Sequence, residues 1–109
     1  MDNNQVLSKI EQEVKSHPIV MFVKGSREIP QCGFSKAVMD IFDELGADYK
    51  TVDVLSDPGV RDGVKRFTNW PTIPQIFIQG EFIGGCDIVR DLYLKGELED
   101  MVKKAAVAK

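Results

Sequence analysis

The feature that most constrains this chain is a short continuous apolar run, Ile19-Val-Met-Phe-Val23, which is rich in β-branched residues. A strand with one wet face alternates apolar and polar residues, so an unbroken run predicts a strand that is covered on both faces. Even with Pro18 included, the run is far below the ~20 apolar residues needed to span a bilayer, so no membrane segment is expected. The fold must therefore place other elements on both sides of this strand.

The remainder of the chain divides into helical and extended patterns. The expected helices carry apolar residues along one inward face and cover Val6–Val14, Phe34–Leu45, Val60–Phe67, Ile88–Tyr93 and Leu98–Ala105. The other expected strands are Tyr49–Val54, Gln75–Gln79 and Phe82–Ile83. A tight turn at Gly80-Glu81 is expected to join the last two strands as a hairpin.

Local signals predict where several helices begin and end. Asn3 or Asn4 is expected to cap the first helix, and Pro18 ends it because the residue before a proline avoids the helical region. Ser56-Asp57-Pro58 supplies a cap and a first-turn proline for the third helix. Gly63 inside that helix costs about 1 kcal/mol relative to alanine, which weakens the helical pattern there.

The order of these elements predicts an α/β fold in a single domain that spans residues 1–109. The first two strands are joined through a helix and should be parallel, with a right-handed crossover, whereas the last two form an antiparallel hairpin. One mixed sheet of four strands, flanked by helices on both faces, is the economical packing of these elements. The length is also the common size for one domain.

Composition argues against several classes of protein. A net charge of −3 gives no basic surface for phosphate backbones, so nucleic acid is not an expected partner. Two cysteines and one histidine are too few for a disulfide-stapled scaffold or a structural zinc site. Met1–Gln5 has neither a cationic nor an apolar leader, which favours a cytoplasmic protein, although a mature form from an organellar matrix or stroma has the same pattern. His17 is expected to be a solvated turn residue, and Trp70 to support the loop before Pro71.

Cys32 stands where a polar loop, Gly25–Gln31, ends and the second helix begins. Backbone N–H groups at a helix start have no intrahelical partner, and the helix dipole places partial positive charge there, so both favour a thiolate. Lys24 is expected to add a cation nearby. The residues alone leave three alternatives: a reactive thiol, part of a metal site shared with another molecule, or an inert buried cysteine.

A second cysteine three residues after Cys32 would make a C-x-x-C redox pair, but Ser35 occupies that position. A hydroxyl cannot resolve a mixed disulfide as a second thiol does. Ser35 either donates a hydrogen bond to the thiolate or is simply a favourable first-turn residue, and the sequence does not choose between these roles.

Four motifs in this order resemble the monothiol glutaredoxins of the CGFS class: Lys24-Gly25, Cys32-Gly-Phe-Ser35, Trp70-Pro-Thr-Ile-Pro74 and Gly84-Gly-Cys-Asp87. The resemblance runs from about Ile19 to Leu98. It implies a thioredoxin-like fold, glutathione binding and a labile [2Fe–2S] cluster shared between two subunits, with Cys32 as the catalytic residue and the cluster ligand. The family often has proline where this chain has Arg27, a departure that bears on cluster lability or partner preference.

The resemblance also implies contacts to glutathione. Pro74 is implied to be cis, which turns the backbone of Ile73 towards the thiol and the cysteinyl part of glutathione. Lys24 and Arg61 are suited to the carboxylate at the glycine end of the tripeptide. Without the resemblance, Arg61 reads as a solvated charge on a helix.

The last motif places two implied contacts at another helix start. The N–H groups of Cys86 and Asp87 are implied to hold a carboxylate of glutathione, and the Asp87 side chain to meet the neighbouring ammonium. The alternative for Asp87 is a plain helix cap. Cys86 is either a small, partly buried hydrophobe, or a slow resolving thiol for Cys32, or a site of glutathionylation. The sequence cannot place its sulfur within disulfide reach of Cys32.

Three functions follow from these expectations. The favoured one is a homodimer that holds a glutathione-ligated [2Fe–2S] cluster between its subunits and transfers it to apo-proteins in iron–sulfur cluster assembly. An alternative is a glutathione-dependent thiol–disulfide oxidoreductase that removes glutathione from mixed disulfides, an activity that the resemblance implies to be weak. A third is a regulatory partner of a BolA-like protein, joined to it through a shared cluster.

Overall fold

The chain, described over residues 3–108 in a computed structural model, has its helices and strands in the order that the sequence predicts. The helices are α1 (Asn3–Lys15), α2 (Gly33–Glu44), α3 (Pro58–Thr68), α4 (Cys86–Leu94) and α5 (Glu97–Ala108). The strands are β1 (Ile19–Val23), β2 (Lys50–Asp53), β3 (Gln75–Ile78) and β4 (Glu81–Gly84). None of the helices within this range is long and apolar enough to cross a membrane.

The strands form one four-stranded sheet in the order β2-β1-β3-β4. β1 runs parallel to β2 and antiparallel to β3, and β3 and β4 are also antiparallel. The sheet is therefore mixed, as predicted, with the parallel pair joined through α2. Because β1 is central, its main chain is hydrogen-bonded on both edges.

Strand β1 is buried along its whole length because helices cover both faces of the sheet. Ile19, Met21 and Val23 belong to a core cluster that also contains buried residues of α2, α4 and α5. Val20 and Phe22 point to the other side, into a second cluster that contains residues of α1 and α3. This alternation confirms the prediction from the unbroken apolar run.

Several local predictions are corrected. Helix α1 already includes Asn3 and Asn4, so neither residue caps it from outside. The hairpin turn lies at Gln79-Gly80, one residue earlier than expected, and Glu81 belongs to β4. Both turn residues have left-handed φ values of 53° and 79°, the geometry of a two-residue hairpin turn that matches the twist of its strands. Asp57 caps α3 as predicted, its carboxylate accepting hydrogen bonds from the N–H groups of Gly59 and Val60.

His17 is not a solvated turn residue, because its side chain is only 20% exposed. Its Nδ1 accepts a hydrogen bond from the Ile19 nitrogen, 3.2 Å away, and its Nε2 lies 3.4 Å from a carboxylate oxygen of Asp48. The ring thus joins the end of the α1–β1 connection to the segment before β2. The sequence does not reveal this role, because Asp48 is far from His17 along the chain and the other partner is a main-chain nitrogen.

Gly63 lies where α3 packs against α1. A Cβ built at this position would stand 2.7 Å from Ile10 Cδ1 and even closer to Val6 Cγ1, both well inside van der Waals contact. The glycine therefore permits the two helices to approach closely, which accounts for a residue that the helical pattern disfavours.

We expect Gly63→Ala to lower the free energy of unfolding by up to about 2 kcal/mol, measured by urea denaturation. Overpacking by the added methyl group costs roughly 1–3 kcal/mol of stability, and the higher helix propensity of alanine offsets about 1 kcal/mol of that cost. Gly33→Ala is the matched control, because a Cβ there meets nothing within 4 Å. A Gly63→Ala protein as stable as the control would contradict the close packing of α1 on α3.

Candidate functional site

Cys32 is the residue immediately before α2, with extended backbone angles of φ −152° and ψ 131°. This is the N-cap position, so Cys32 directly precedes the N–H groups that open the helix and have no intrahelical partner. Its side chain is partly exposed and remains a free thiol. The structure therefore confirms the position that the sequence predicted for the sulfur.

The surroundings of Cys32 favour its anionic form. Burial of the thiol raises its pKa, but hydrogen bonds from the N–H groups of Ser35 and Phe34, the Ser35 hydroxyl and the charge of Lys24 together outweigh it. The pKa of Cys32 consequently lies below the ordinary value for a cysteine. More of the nucleophilic and metal-binding thiolate is present near neutral pH than in an ordinary cysteine.

Ser35 connects the thiol to the end of β1. Its side chain is fully buried, and its Oγ accepts a hydrogen bond from the Lys24 N–H at 3.2 Å. Because the hydroxyl can donate its own hydrogen while accepting, it can also stabilise a Cys32 thiolate, and it contributes to the lowered pKa of Cys32. Of the two roles left open by the sequence, the structure favours the hydrogen-bond donor.

Cys32 opens on a groove of about 410 Å³. The groove is formed by Lys24 at the end of β1, the start of α2, one residue of α3, the loop before β3 and the start of α4. Its lining residues are Lys24, Cys32, Phe34, Lys65, Trp70, Pro71, Thr72, Ile73, Pro74, Gly85, Cys86, Asp87 and Ile88. Five segments of the chain thus converge beside one activated thiol.

Most of the residues singled out in the sequence line this groove together. Lys24, Ile73, Cys86 and Asp87 all do so with Cys32. Arg61 is not among the lining residues, so its implied contact with glutathione stays a prediction.

The sequence missed Lys65, which lines the groove from the next turn of α3 after Arg61. The spacing of four places both cations along one side of the helix, and only the packing of α3 shows which of them reaches the groove.

Phe34 was predicted to point inward, and this is wrong because its side chain is 62% exposed. It lies in the first turn of α2, where the helix faces the groove rather than the core. Ile88 is similarly 38% exposed at the start of α4. These side chains give the groove a partly apolar rim.

Gln75 holds the loop that forms one wall of the groove. Its side chain is fully buried, and its Nε2 donates to the carbonyl oxygens of Trp70 at 3.0 Å and Thr72 at 3.2 Å. Its Oε1 accepts from the Thr68 hydroxyl at 2.8 Å. A glutamine that opens an otherwise apolar strand was the available signal, but its partners are main-chain atoms that the sequence does not identify.

The same loop contains the predicted cis peptide bond between Ile73 and Pro74. Trp70 supports this loop, as expected, with its ring in edge contact with Phe82 at a centroid distance of 5.8 Å. Gly85 lets α4 approach: a Cβ there would stand 3.2 Å from the Pro74 carbonyl oxygen. The loop and the start of α4 are therefore held as adjoining walls.

The start of α4 presents the last wall. Gly85 is the N-cap and offers no side chain to the first turn, so the N–H groups that begin the helix face the groove without a capping hydrogen bond. Cys86 is 8% exposed and unpaired, with an Arg90 guanidinium nitrogen 3.7 Å from its sulfur. The burial of Cys86 fits a small hydrophobic residue, whereas its place in the groove fits a thiol that acts beside Cys32. Both alternatives therefore stay open.

We expect Ser35→Ala to raise the pKa of Cys32 by about one unit, because a hydrogen bond to a charged group is worth about 1.5 kcal/mol. The pH at which iodoacetamide alkylation of Cys32 reaches half its maximal rate, followed by peptide mass mapping to exclude Cys86, measures the change. Ser56→Ala is the control, since that hydroxyl donates to the Asp53 carbonyl outside the groove. Identical alkylation profiles for both variants would contradict the role of Ser35.

Comparison with known proteins identifies the fold and family. The glutaredoxin family model matches residues 19–83. A probable monothiol glutaredoxin 2 of Rickettsia typhi is 46% identical over 103 residues, covering 94% of this chain and 93% of the relative. A Synechocystis protein described as monothiol glutaredoxin ycf64-like is 45% identical, covering 94% of this chain and 96% of its own.

Among solved structures, the crystal structure of a buckwheat glutaredoxin–glutathione complex superimposes with a TM-score of 0.86 at 32% identity, covering 95% of this chain and 93% of that one. The mixed four-stranded sheet with its five helices is accordingly the thioredoxin-like fold of glutaredoxins. With one cysteine in its Cys32-Gly-Phe-Ser35 motif, and with such relatives along nearly its whole length, the chain belongs to the monothiol glutaredoxin family.

Proposed function

We propose that this chain is a glutathione-dependent carrier of [2Fe–2S] clusters. Cys32 and the thiol of a glutathione molecule in the groove would hold the cluster between two copies of the chain, which then pass it to apo-proteins. The observation that carries the proposal is a single acidified thiol at a helix N-terminus that opens on a groove with peptide-binding features.

Glutathione suits the groove because it is a short, charged peptide with its own thiol. Ile73 lines the groove, and no hydrogen bond joins its main-chain N–H or C=O to another residue of the described part of the chain. An extended peptide can pair with such groups as an added strand does. The related buckwheat glutaredoxin was crystallised as its glutathione complex, which supports the choice of ligand.

The charges around the groove match both ends of glutathione. Lys24 and Lys65 are cations suited to the glycine carboxylate. At the start of α4, free N–H groups can hold the γ-glutamyl carboxylate, and Asp87 can pair with the adjacent ammonium. This arrangement would leave the cysteinyl thiol beside Cys32.

The number of thiols favours a shared cluster over one held by a single chain. A [2Fe–2S] cluster usually takes four thiolates, and each chain contributes Cys32 and one glutathione. Two chains therefore complete the set. Release is a ligand exchange in which an incoming thiolate replaces each departing one without net electron transfer, and glutathione can depart because it is not covalently attached.

We expect anaerobic incubation with iron, sulfide and glutathione to yield a coloured dimer. Visible absorption detects the cluster, and gel filtration detects the dimer. Cys32→Ser should abolish the colour and leave a monomer, because a hydroxyl does not replace the thiolate. Cys86→Ser is the matched control and should retain the cluster, since it keeps the backbone N–H assigned to glutathione.

A colourless wild-type protein, or a cluster retained by Cys32→Ser, would refute the carrier function.

The lowered pKa of Cys32 also fits a second candidate, in which its thiolate takes glutathione from a mixed disulfide and a second glutathione releases it as glutathione disulfide. Rapid turnover of a glutathionylated peptide by a protein that binds no cluster would favour that function instead.

We expect Lys24→Ala and Lys65→Ala each to weaken glutathione binding about tenfold, because each removes a charge-assisted hydrogen bond to the ligand. Isothermal titration of the apo-protein measures the affinity. Arg61→Ala tests the contact predicted from the sequence on the same helix, and its effect should be smaller because Lys65 rather than Arg61 lines the groove. A larger loss for Arg61→Ala than for Lys65→Ala would reverse this assignment.

A further inference from the structure

The chain between β1 and Cys32 folds into a closed lobe, residues 25–30, which we call the thiol lobe. Gly25 and Pro30 pair across its base, and the Ser26 nitrogen donates to the Ile29 carbonyl oxygen at 3.1 Å. Just below the base, the Gln31 nitrogen donates to the Lys24 carbonyl oxygen at 2.9 Å. The lobe is therefore continuous with two groove residues, Lys24 on one side and Cys32 on the other.

Arg27 extends from the tip of the thiol lobe to the body of the protein. Its guanidinium Nη2 donates to the Asp43 carboxylate at 2.6 Å, in the last turn of α2. The same guanidinium lies over the Tyr49 ring, 4.2 Å from the centroid. The Tyr49 hydroxyl donates to the same Asp43 oxygen at 2.7 Å, so three side chains form one clasp.

The receiving side of this clasp is rigid. Tyr49 is only 6% exposed, and its ring is in edge contact with Phe42 at 6.1 Å between centroids. Burial and the Asp43 carboxylate both raise the pKa of Tyr49, so its hydroxyl stays protonated and able to donate. Asp43 itself belongs to the helix whose N-terminus faces the Cys32 sulfur.

The lobe has little else to hold its tip. Within residues 3–108, no other side chain of residues 26–29 makes a hydrogen bond or ion pair outside the lobe. Gly25 donates its N–H to Asp53 at 3.0 Å, but this contact lies at the base. The clasp is thus the polar contact that fixes the tip to the same helix that fixes the thiol.

We propose that Arg27 is a positioning residue for the groove: its clasp on Asp43 and Tyr49 holds the thiol lobe against α2 and so fixes Lys24 relative to Cys32. The proposal rests on the glutathione-binding function given above. The Arg27 and Asp43 side chains are 45% and 42% exposed, so salt screens their charges. The placement of the groove residues, and with it glutathione affinity, becomes sensitive to ionic strength through this pair.

Amide hydrogen exchange of the ligand-free apo-protein tests the clasp directly, at the Ser26, Ile29 and Gln31 N–H groups that close the lobe. Arg27→Ala should accelerate their exchange about fivefold, as expected for the loss of an exposed ion pair and a cation–π contact. Arg27→Lys should give a smaller increase, because it keeps the charge but loses the planar group. Raising salt to about 1 M should accelerate exchange in the wild type more than in Arg27→Ala.

Lys36→Ala is the matched control, since it removes a similarly exposed ion pair with Asp40 on the same helix without touching the lobe. It should leave exchange in the lobe unchanged. Tyr49→Phe provides a second variant that keeps the ring but loses the hydroxyl donated to Asp43, and it should accelerate exchange less than Arg27→Ala does. Lobe exchange in Arg27→Ala that equals the control would overturn the clasp.

The positioning role has its own readout. Arg27→Ala should weaken glutathione binding about twofold to fivefold by isothermal titration, with the alkylation pH profile of Cys32 shifted from that of the Lys36→Ala control. Faster lobe exchange with unchanged affinity and an unchanged profile would overturn the positioning role. A wild type that binds no glutathione would instead refute the proposed function, while the exchange data would still decide whether the clasp exists.

Discussion

The stabilisation of the Cys32 thiolate by the N-terminus of α2 is the interaction around which the site is arranged. The sulfur receives N–H donors only because the helix begins immediately after Cys32, and this start requires the chain to leave β1 and reverse within a few residues. Gly25 makes that reversal possible, with a φ of 93° and neighbours that leave no room for a Cβ. Ser35 then ties the first turn of the helix back to the strand.

The groove depends on three connections between segments that are distant in sequence. Gln75 fixes the loop before β3 through its carbonyl oxygens, and Gly85 allows α4 to close against that loop. The thiol lobe lies between Lys24 and Cys32, which both line the groove. Since these contacts hold the walls in place before any ligand enters, they can preorganise the groove and so reduce the entropic cost of binding a flexible molecule.

Predictions from the sequence succeeded where the signal was local. The buried strand followed from an unbroken apolar run, and the cap of α3 followed from Asp57-Pro58. They failed where the position of a side chain depends on a partner elsewhere in the chain. His17 looked solvated until packing placed it beside Asp48, and Phe34 shared the apolar repeat of α2 but faces the groove. Periodicity locates one face of a helix, whereas the burial of its first turn depends on what lies opposite.

The sequence by itself determined the order of elements, the sheet with two covered faces and the location of Cys32 at a helix start. These features depend on neighbouring residues, because turn chemistry, apolar period and helix capping act over a few positions. Only the tertiary structure decided that Lys65 rather than Arg61 lines the groove and that Arg27 clasps Asp43 and Tyr49. Such contacts join residues many positions apart, and their distances are fixed by how the helices pack on the sheet.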